Sequence, residues 1–141
     1  HGALLADFLN MPFSYVRSEA KSHGRQNQIE GDLKPGQKIL VIEDLISTGG
    51  SSIQVVEVLR QEGYEVVGVL AIFDYQLAKS VLNFAREKCK YASLCNYETL
   101  LQEALETDYI SNDQLTVLKE WNADPNSWSE AFSKNLKTNW N

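Results

Sequence analysis

The chain has 141 residues, 43% of them hydrophobic and 23% charged, with a formal net charge of −6. Those values describe one globular domain with a core of its own. The acidic balance argues against a broad nucleic-acid surface, and no apolar run reaches the roughly 18 residues of a membrane-spanning helix.

Cys89 and Cys95 lack C-x-x-C spacing, and one of the two histidines is the terminal His1. Two reduced thiols in a cytoplasmic protein are expected, not a disulfide or a zinc site. No signal peptide is visible.

In chain order, residues 1–10 read as a helix with Leu4, Leu5, Phe8 and Leu9 on one apolar face. The segment opens without a cap signal, so the chain is expected to continue upstream. Met11-Pro12 breaks that helix, and residues 13–16 form a short strand. Residues 17–31 carry Arg17, Lys21, His23 and Arg25 and almost nothing to bury. A long polar segment in a compact domain is either disordered or functional, and residues 29–31 are expected to return as a short edge strand.

Lys34-Pro35-Gly36-Gln37 reads as a turn. It leads into a strand over residues 38–42, followed by Glu43, Asp44 and a loop. A helix over residues 50–62 follows, with Ile53, Val56 and Leu59 on its inner face and Gly63 at its C-cap. Residues 65–73 are almost continuously apolar, as a central parallel strand is, and Asp74-Tyr75-Gln76 closes them. A helix over residues 77–88 is expected to bury Val81, Leu82 and Phe84. A strand over residues 90–94 precedes helices over residues 96–105 and 112–121, the second capped by Asn112-Asp113. Residues 122–141 form a terminal helix or tail, docked by Trp128 and Phe132. Strands alternating with helices predict an α/β fold: a central parallel sheet flanked by helices.

The chemistry concentrates after Ile42. G-x-x-x-x-G-K-[ST] and G-x-G-x-x-G are both absent, which disfavours nucleoside triphosphates and dinucleotides. The backbone N–H groups of residues 47–52, with the hydroxyls of Ser47, Thr48 and Ser51, can form a phosphate cup at a helix N-terminus. Gly49 and Gly50 let the backbone curl close to a ligand. Glu43 and Asp44 would repel a phosphate but suit sugar hydroxyls or a metal. A phosphorylated sugar fits both halves. The plainer alternative is an ordinary capped helix with an acidic lead-in.

Residues 41–52 resemble the phosphoribosyl-diphosphate (PRPP) motif of type I phosphoribosyltransferases. The segment Tyr15-Val16-Arg17-x-x-x-Lys21-x-His23-Gly24, with residues 27–31, resembles the catalytic loop of the orotate branch. Ala71-Ile72-Phe73-x-Tyr75 and Tyr97-x-Thr99-Leu100 carry further likeness. The resemblance implies a type I phosphoribosyltransferase fold, one domain over residues 1–141 lacking roughly the first third of a typical member, and a mobile loop over residues 17–31.

It also implies transfer of phosphoribosyl from PRPP to orotate, giving orotidine 5-phosphate and pyrophosphate in UMP biosynthesis. Glu43 and Asp44 would hold the ribose hydroxyls, and Leu45, Ile46, Ser47, Thr48, Gly49, Gly50 and Ser51 would wrap the 5-phosphate. Ser47 would also contact orotate. Arg17 would clamp a phosphate. Lys21 would stabilise charge on the leaving pyrophosphate, and His23 would hydrogen-bond it or donate a proton. Mg2+ would be held mainly by substrate oxygens, with no dedicated protein metal site. A homodimer with shared sites is implied, without nucleic acid or membrane.

The chain departs from the family at Ser18, in place of a second loop lysine, and at Asp74, in place of Thr. Asp74 is expected to face solvent. The alternatives are a purine or uracil phosphoribosyltransferase and a PRPP-binding regulator of the same fold.

Overall fold

A computed structural model describes residues 1–17 and 28–138. The elements are α1 (Gly2–Phe8), β1 (Ser14–Val16), β2 (Ile29–Gly31), β3 (Lys38–Ile46), α2 (Gly50–Gln61), β4 (Glu65–Asp74), α3 (Ala78–Arg86), β5 (Tyr91–Asn96), α4 (Tyr97–Glu106), α5 (Asn112–Ala123) and α6 (Pro125–Thr138).

The centre is a parallel sheet in the order β3-β4-β5, its strands joined through α2 and α3. This is the α/β arrangement that the alternation predicts. Ile53, Val56 and Leu59 of α2 pack with Val41 of β3, Val69 and Ala71 of β4, and Phe84 of α3. On the other face, Ile42, Leu70 and Ala92 lie in register, and Leu40, Ile72 and Leu94 remain exposed.

β1 and β2 form an antiparallel hairpin stem, with Ser14 opposite Gly31 and Val16 opposite Ile29. Val16 and Ile29 rest against the core. The turn before β3 closes by a bond from the Gln37 N–H to the Lys34 carbonyl (3.2 Å). Gly36, at the third position, has φ +83. Pro second and a positive-φ glycine third are the pattern of a type II turn.

Four details differ from expectation. The helix α1 buries no side chain, and Phe8 is 86% exposed. It turns Gly2, Leu5, Ala6 and Leu9 toward a cleft of about 490 Å3 lined also by Phe13, Leu40 and Ile42, so Leu4 and Phe8 point outward. In α3 the buried residues are Ser80 and Phe84, while Leu82 is 68% exposed. Asn83 and Phe84 are the α3 side chains that meet the loop after β3. The cap of α5 is Ser111, not Asn112-Asp113: Ser111 and Gln114 form a reciprocal capping box. Finally, β3 continues to Ile46. Two carboxylates interrupt its aliphatic run, but β4 supplies pairing partners beyond them.

Gly63 lies just past α2 with φ +84, as expected of its position. Cys89 and Cys95 are free thiols. Trp128 and Phe132 stack on one another at 4.9 Å within α6.

Candidate phosphate and sugar site

The extension of β3 decides where the two carboxylates point. Neighbouring strand residues face opposite sides of a sheet. Glu43, paired with Ala71, is half-buried and lies toward α2, while Asp44 is exposed. Burial is the largest influence on Glu43 and pushes its pKa above the ordinary carboxylate value, with the Asp44 charge adding to the rise.

The Ser52 hydroxyl opposes that shift. Ser52 is 1% exposed. Its oxygen lies near enough to favour the carboxylate without completing a well-formed hydrogen bond. The sequence pattern marks Ser52 for its backbone N–H alone, not for its side chain. The available signal is a hydroxyl on the buried stripe 52-53-56-59 of α2.

After Ile46, residues 47–49 turn into α2. The N-cap is Gly49, left-handed at φ +74, and no side chain caps the helix. This removes the plainer alternative, in which Ser47, Thr48 or Ser51 serves as an ordinary cap. The N–H groups at the start of α2 are those a helix leaves without internal partners, and the helix dipole makes that end attractive to an anion. By contrast, Asn96 caps α4, its side chain accepting from the Thr99 N–H.

The loop is braced from two sides. The Asn83 Nδ2 group donates to the Thr48 carbonyl at 2.9 Å, and the Phe84 ring lies against Gly49. At its upstream end the Tyr75 N–H donates to the Ile46 carbonyl at 2.9 Å. Asn83 and Phe84 were not legible as site residues, because nothing local marks a contact spanning 35 positions.

Asp74 does not face solvent; it is 5% exposed. Its Oδ1 accepts the Gln76 N–H at 2.8 Å, which gives the buried carboxylate a partner and shapes the turn. Gln76 in turn accepts the Glu98 N–H at 3.1 Å, at the start of α4. Asp74 also reaches Tyr91 electrostatically. The Tyr91 phenol is pushed up first by burial, then by the Asp74 charge, against a bond with Ser80.

Arg17 stands at the top of the hairpin stem. Its Nε lies 3.0 Å from Glu30 Oε1. The Tyr15 hydroxyl donates to Glu30 Oε2 at 2.9 Å, and Arg17 Nη2 lies 3.4 Å from that hydroxyl. Two further bonds close the stem: the Arg17 N–H to the Gln28 carbonyl (2.9 Å) and Gln28 Nε2 to the Arg17 carbonyl (2.8 Å). Ser18, Lys21, His23 and Arg25 lie outside the described residues. Among the described residues, no three His, Cys, Asp or Glu side chains are grouped to hold a metal, and no helix is long and apolar enough to cross a membrane.

A strand that carries two carboxylates near its end leads through a glycine turn into an uncapped helix start. The family model for the phosphoribosyl transferase domain matches residues 2–99, and the chain belongs to that family. Its relatives narrow the comparison. The orotate phosphoribosyltransferase of Enterococcus faecalis is 49% identical over 130 residues, covering 92% of this chain and 62% of the relative. The chain thus spans a little over three-fifths of that relative's length. Among solved structures, Leishmania donovani UMP synthase superposes with a TM-score of 0.71 at 25% identity, over 84% of this chain and 25% of that one. The orotate phosphoribosyltransferase of Mycobacterium tuberculosis in complex with PRPP gives 0.53 at 31% identity, over 62% and 49%.

Proposed function

We propose that this chain is the PRPP-binding portion of an orotate phosphoribosyltransferase. The observation that carries the reading is the uncapped, glycine-led start of α2, one short turn beyond the end of β3, the strand that carries Glu43 and Asp44, in a chain of this family. The relatives' activity supplies the choice of orotate as acceptor.

On this reading the N–H groups of residues 49–52 and the hydroxyls of Ser47, Thr48 and Ser51 bind the 5-phosphate, with Leu45 and Ile46 leading into the turn. Glu43 and Asp44 hold the ribose hydroxyls. Ser47, exposed at the loop's entry, also contacts orotate. A ring nitrogen of orotate bonds to the ribose C1 and gives up its proton to the pyrophosphate or to water, as the C1–O bond to pyrophosphate breaks and its electron pair leaves with the pyrophosphate as negative charge. Lys21 and His23 meet that charge, and Arg17 at the base of their segment is poised to reach a phosphate.

The exposed Asp44 fits Mg2+ in the sense that this ion keeps water and phosphate oxygens and needs few protein ligands. When bound, Mg2+ would neutralise charge on the pyrophosphate oxygens. A homodimer that shares Lys21 and His23 between sites, in the cytoplasm, completes the proposal.

The test is PRPP-dependent loss of orotate absorbance by the intact protein, with uracil, adenine and hypoxanthine run in parallel. Turnover of a purine without turnover of orotate would reassign the acceptor. Lys21→Ala should slow turnover by at least ~100-fold, the scale of a lost electrostatic contact in the transition state, with a much smaller effect on PRPP binding. Full kcat in that variant would remove Lys21 from its role.

A further inference from the structure

Two consecutive residues of α3 hold the loop from behind. Asn83 Nδ2 donates to the Thr48 carbonyl at 2.9 Å. The Phe84 ring, 1% exposed, lies so close to Gly49 that a β-carbon there would sit 2.7 Å from its Cε2. The same ring stacks on Tyr91 of β5 at 4.2 Å and 20°. One ring therefore fills the space between loop and sheet, and one amide anchors a loop carbonyl.

The anchoring has a directional consequence. In a trans peptide the C=O and the following N–H point opposite ways. With the Thr48 carbonyl drawn toward α3, the Gly49 N–H is turned away from α3. It joins the free N–H groups that open α2. Glycine in the left-handed region at position 49 continues that curl, and successive N–H groups on a concave turn make an anion-binding nest.

We propose that Asn83 is a positioning residue for the phosphate loop: it fixes the Thr48–Gly49 peptide so that the Gly49 N–H faces the sugar phosphate, with Phe84 as the floor beneath. The proposal rests on reading residues 47–52 as a phosphate cup. It assigns Asn83 to the phosphate half of the substrate and not to the base.

The experiment compares the intact wild-type protein with Asn83→Asp, which keeps the size but loses the N–H donor, and with Asn83→Ala and Asn83→Gln, the last retaining the amide. Ribose 5-phosphate binding is measured by calorimetry, alongside kcat and KM for PRPP and orotate. Loss of the anchor should weaken ribose 5-phosphate and raise the PRPP KM by about tenfold, the scale of one hydrogen bond. The expected kcat and orotate KM change less than twofold, and Asn83→Gln recovers part of the loss.

Unchanged ribose 5-phosphate binding in Asn83→Asp would overturn the proposal. So would parallel losses in kcat and in both KM values, which is what general loosening gives. Wild type that binds no ribose 5-phosphate would instead overturn the phosphate-cup reading itself. Should the donor-less variants not fold, wild type still decides: saturating ribose 5-phosphate must shift the Gly49 amide resonance, and an unmoved resonance rejects the assignment.

Discussion

Glu43 carries a charge that its surroundings disfavour, because burial and Asp44 both raise its pKa. In the window between the ordinary carboxylate value and the raised native one, the folded protein binds more protons than the unfolded chain. Stability therefore falls as pH rises through that window, and the cost persists above it. Glu43→Gln should be more stable than wild type at pH 7, and the gain should vanish below about pH 4. It should also bind ribose 5-phosphate less well if the carboxylate holds a ribose hydroxyl. Urea denaturation at the two pH values, with calorimetry at pH 7, checks both.

Gly49 is constrained twice, by its left-handed backbone and by Phe84. Gly49→Ala should cost about 1–3 kcal/mol. Adding Phe84→Leu should restore part of it, since the pair is in contact and not independent; strict additivity in thermal unfolding would rule out the clash. The motif reading finds Gly49 but cannot see Phe84. A turn glycine is legible locally, whereas the ring that enforces it arrives from another helix.

At the level of elements, aliphatic runs make β3 and β4 legible, and helix periodicity makes α2 legible with its buried stripe. Two of the errors share a physical origin: tertiary partners overrode the local pattern. Glu43 and Asp44 look like a loop but belong to a strand because β4 continues beside them. Val81 and Leu82 look buried, yet α3 gives its inner side to Ser80 and Phe84. Asp74 looks like a surface group, but it is buried and its partner is local, the N–H of Gln76 two residues on. The α5 cap is different, because Ser111 and Gln114 are a sequence-readable pair three residues apart. Ser111→Ala should cost about 1 kcal/mol, read by urea denaturation, with no change in ribose 5-phosphate affinity. A large loss of affinity would mean that α5 acts on the site.

At the scale of the molecule, the face of the sheet under α2 and α3 is covered, and the proposed phosphate loop sits at its carboxyl end, where open α/β sheets place ligands. The core and this half of the site follow from strand and helix patterns. The basic half does not, because Lys21 and His23 are recognised by resemblance and lie outside the described residues. What the structure adds is their attachment: Arg17, Gln28, Glu30 and Tyr15 tie both ends of that segment to one hairpin stem. Glu30→Gln removes the charge opposite Arg17 and should lower PRPP KM if the freed guanidinium then reaches substrate. An unchanged KM would make the ion pair purely structural.

The bond from the Tyr75 N–H to the Ile46 carbonyl joins the last strand residue before the loop to an aromatic cluster. Tyr75 packs there with Phe73, Tyr97 and Trp121, and its own carbonyl accepts from Asn122 at 2.7 Å. That single amide is a clock for the site. If it trades its proton for deuterium only when the loop lifts from the sheet end, occupancy of the loop will stop the clock. Ribose 5-phosphate at 100 times its Kd should then slow this exchange by up to about 100-fold, while amides in the β1–β2 stem keep their pace.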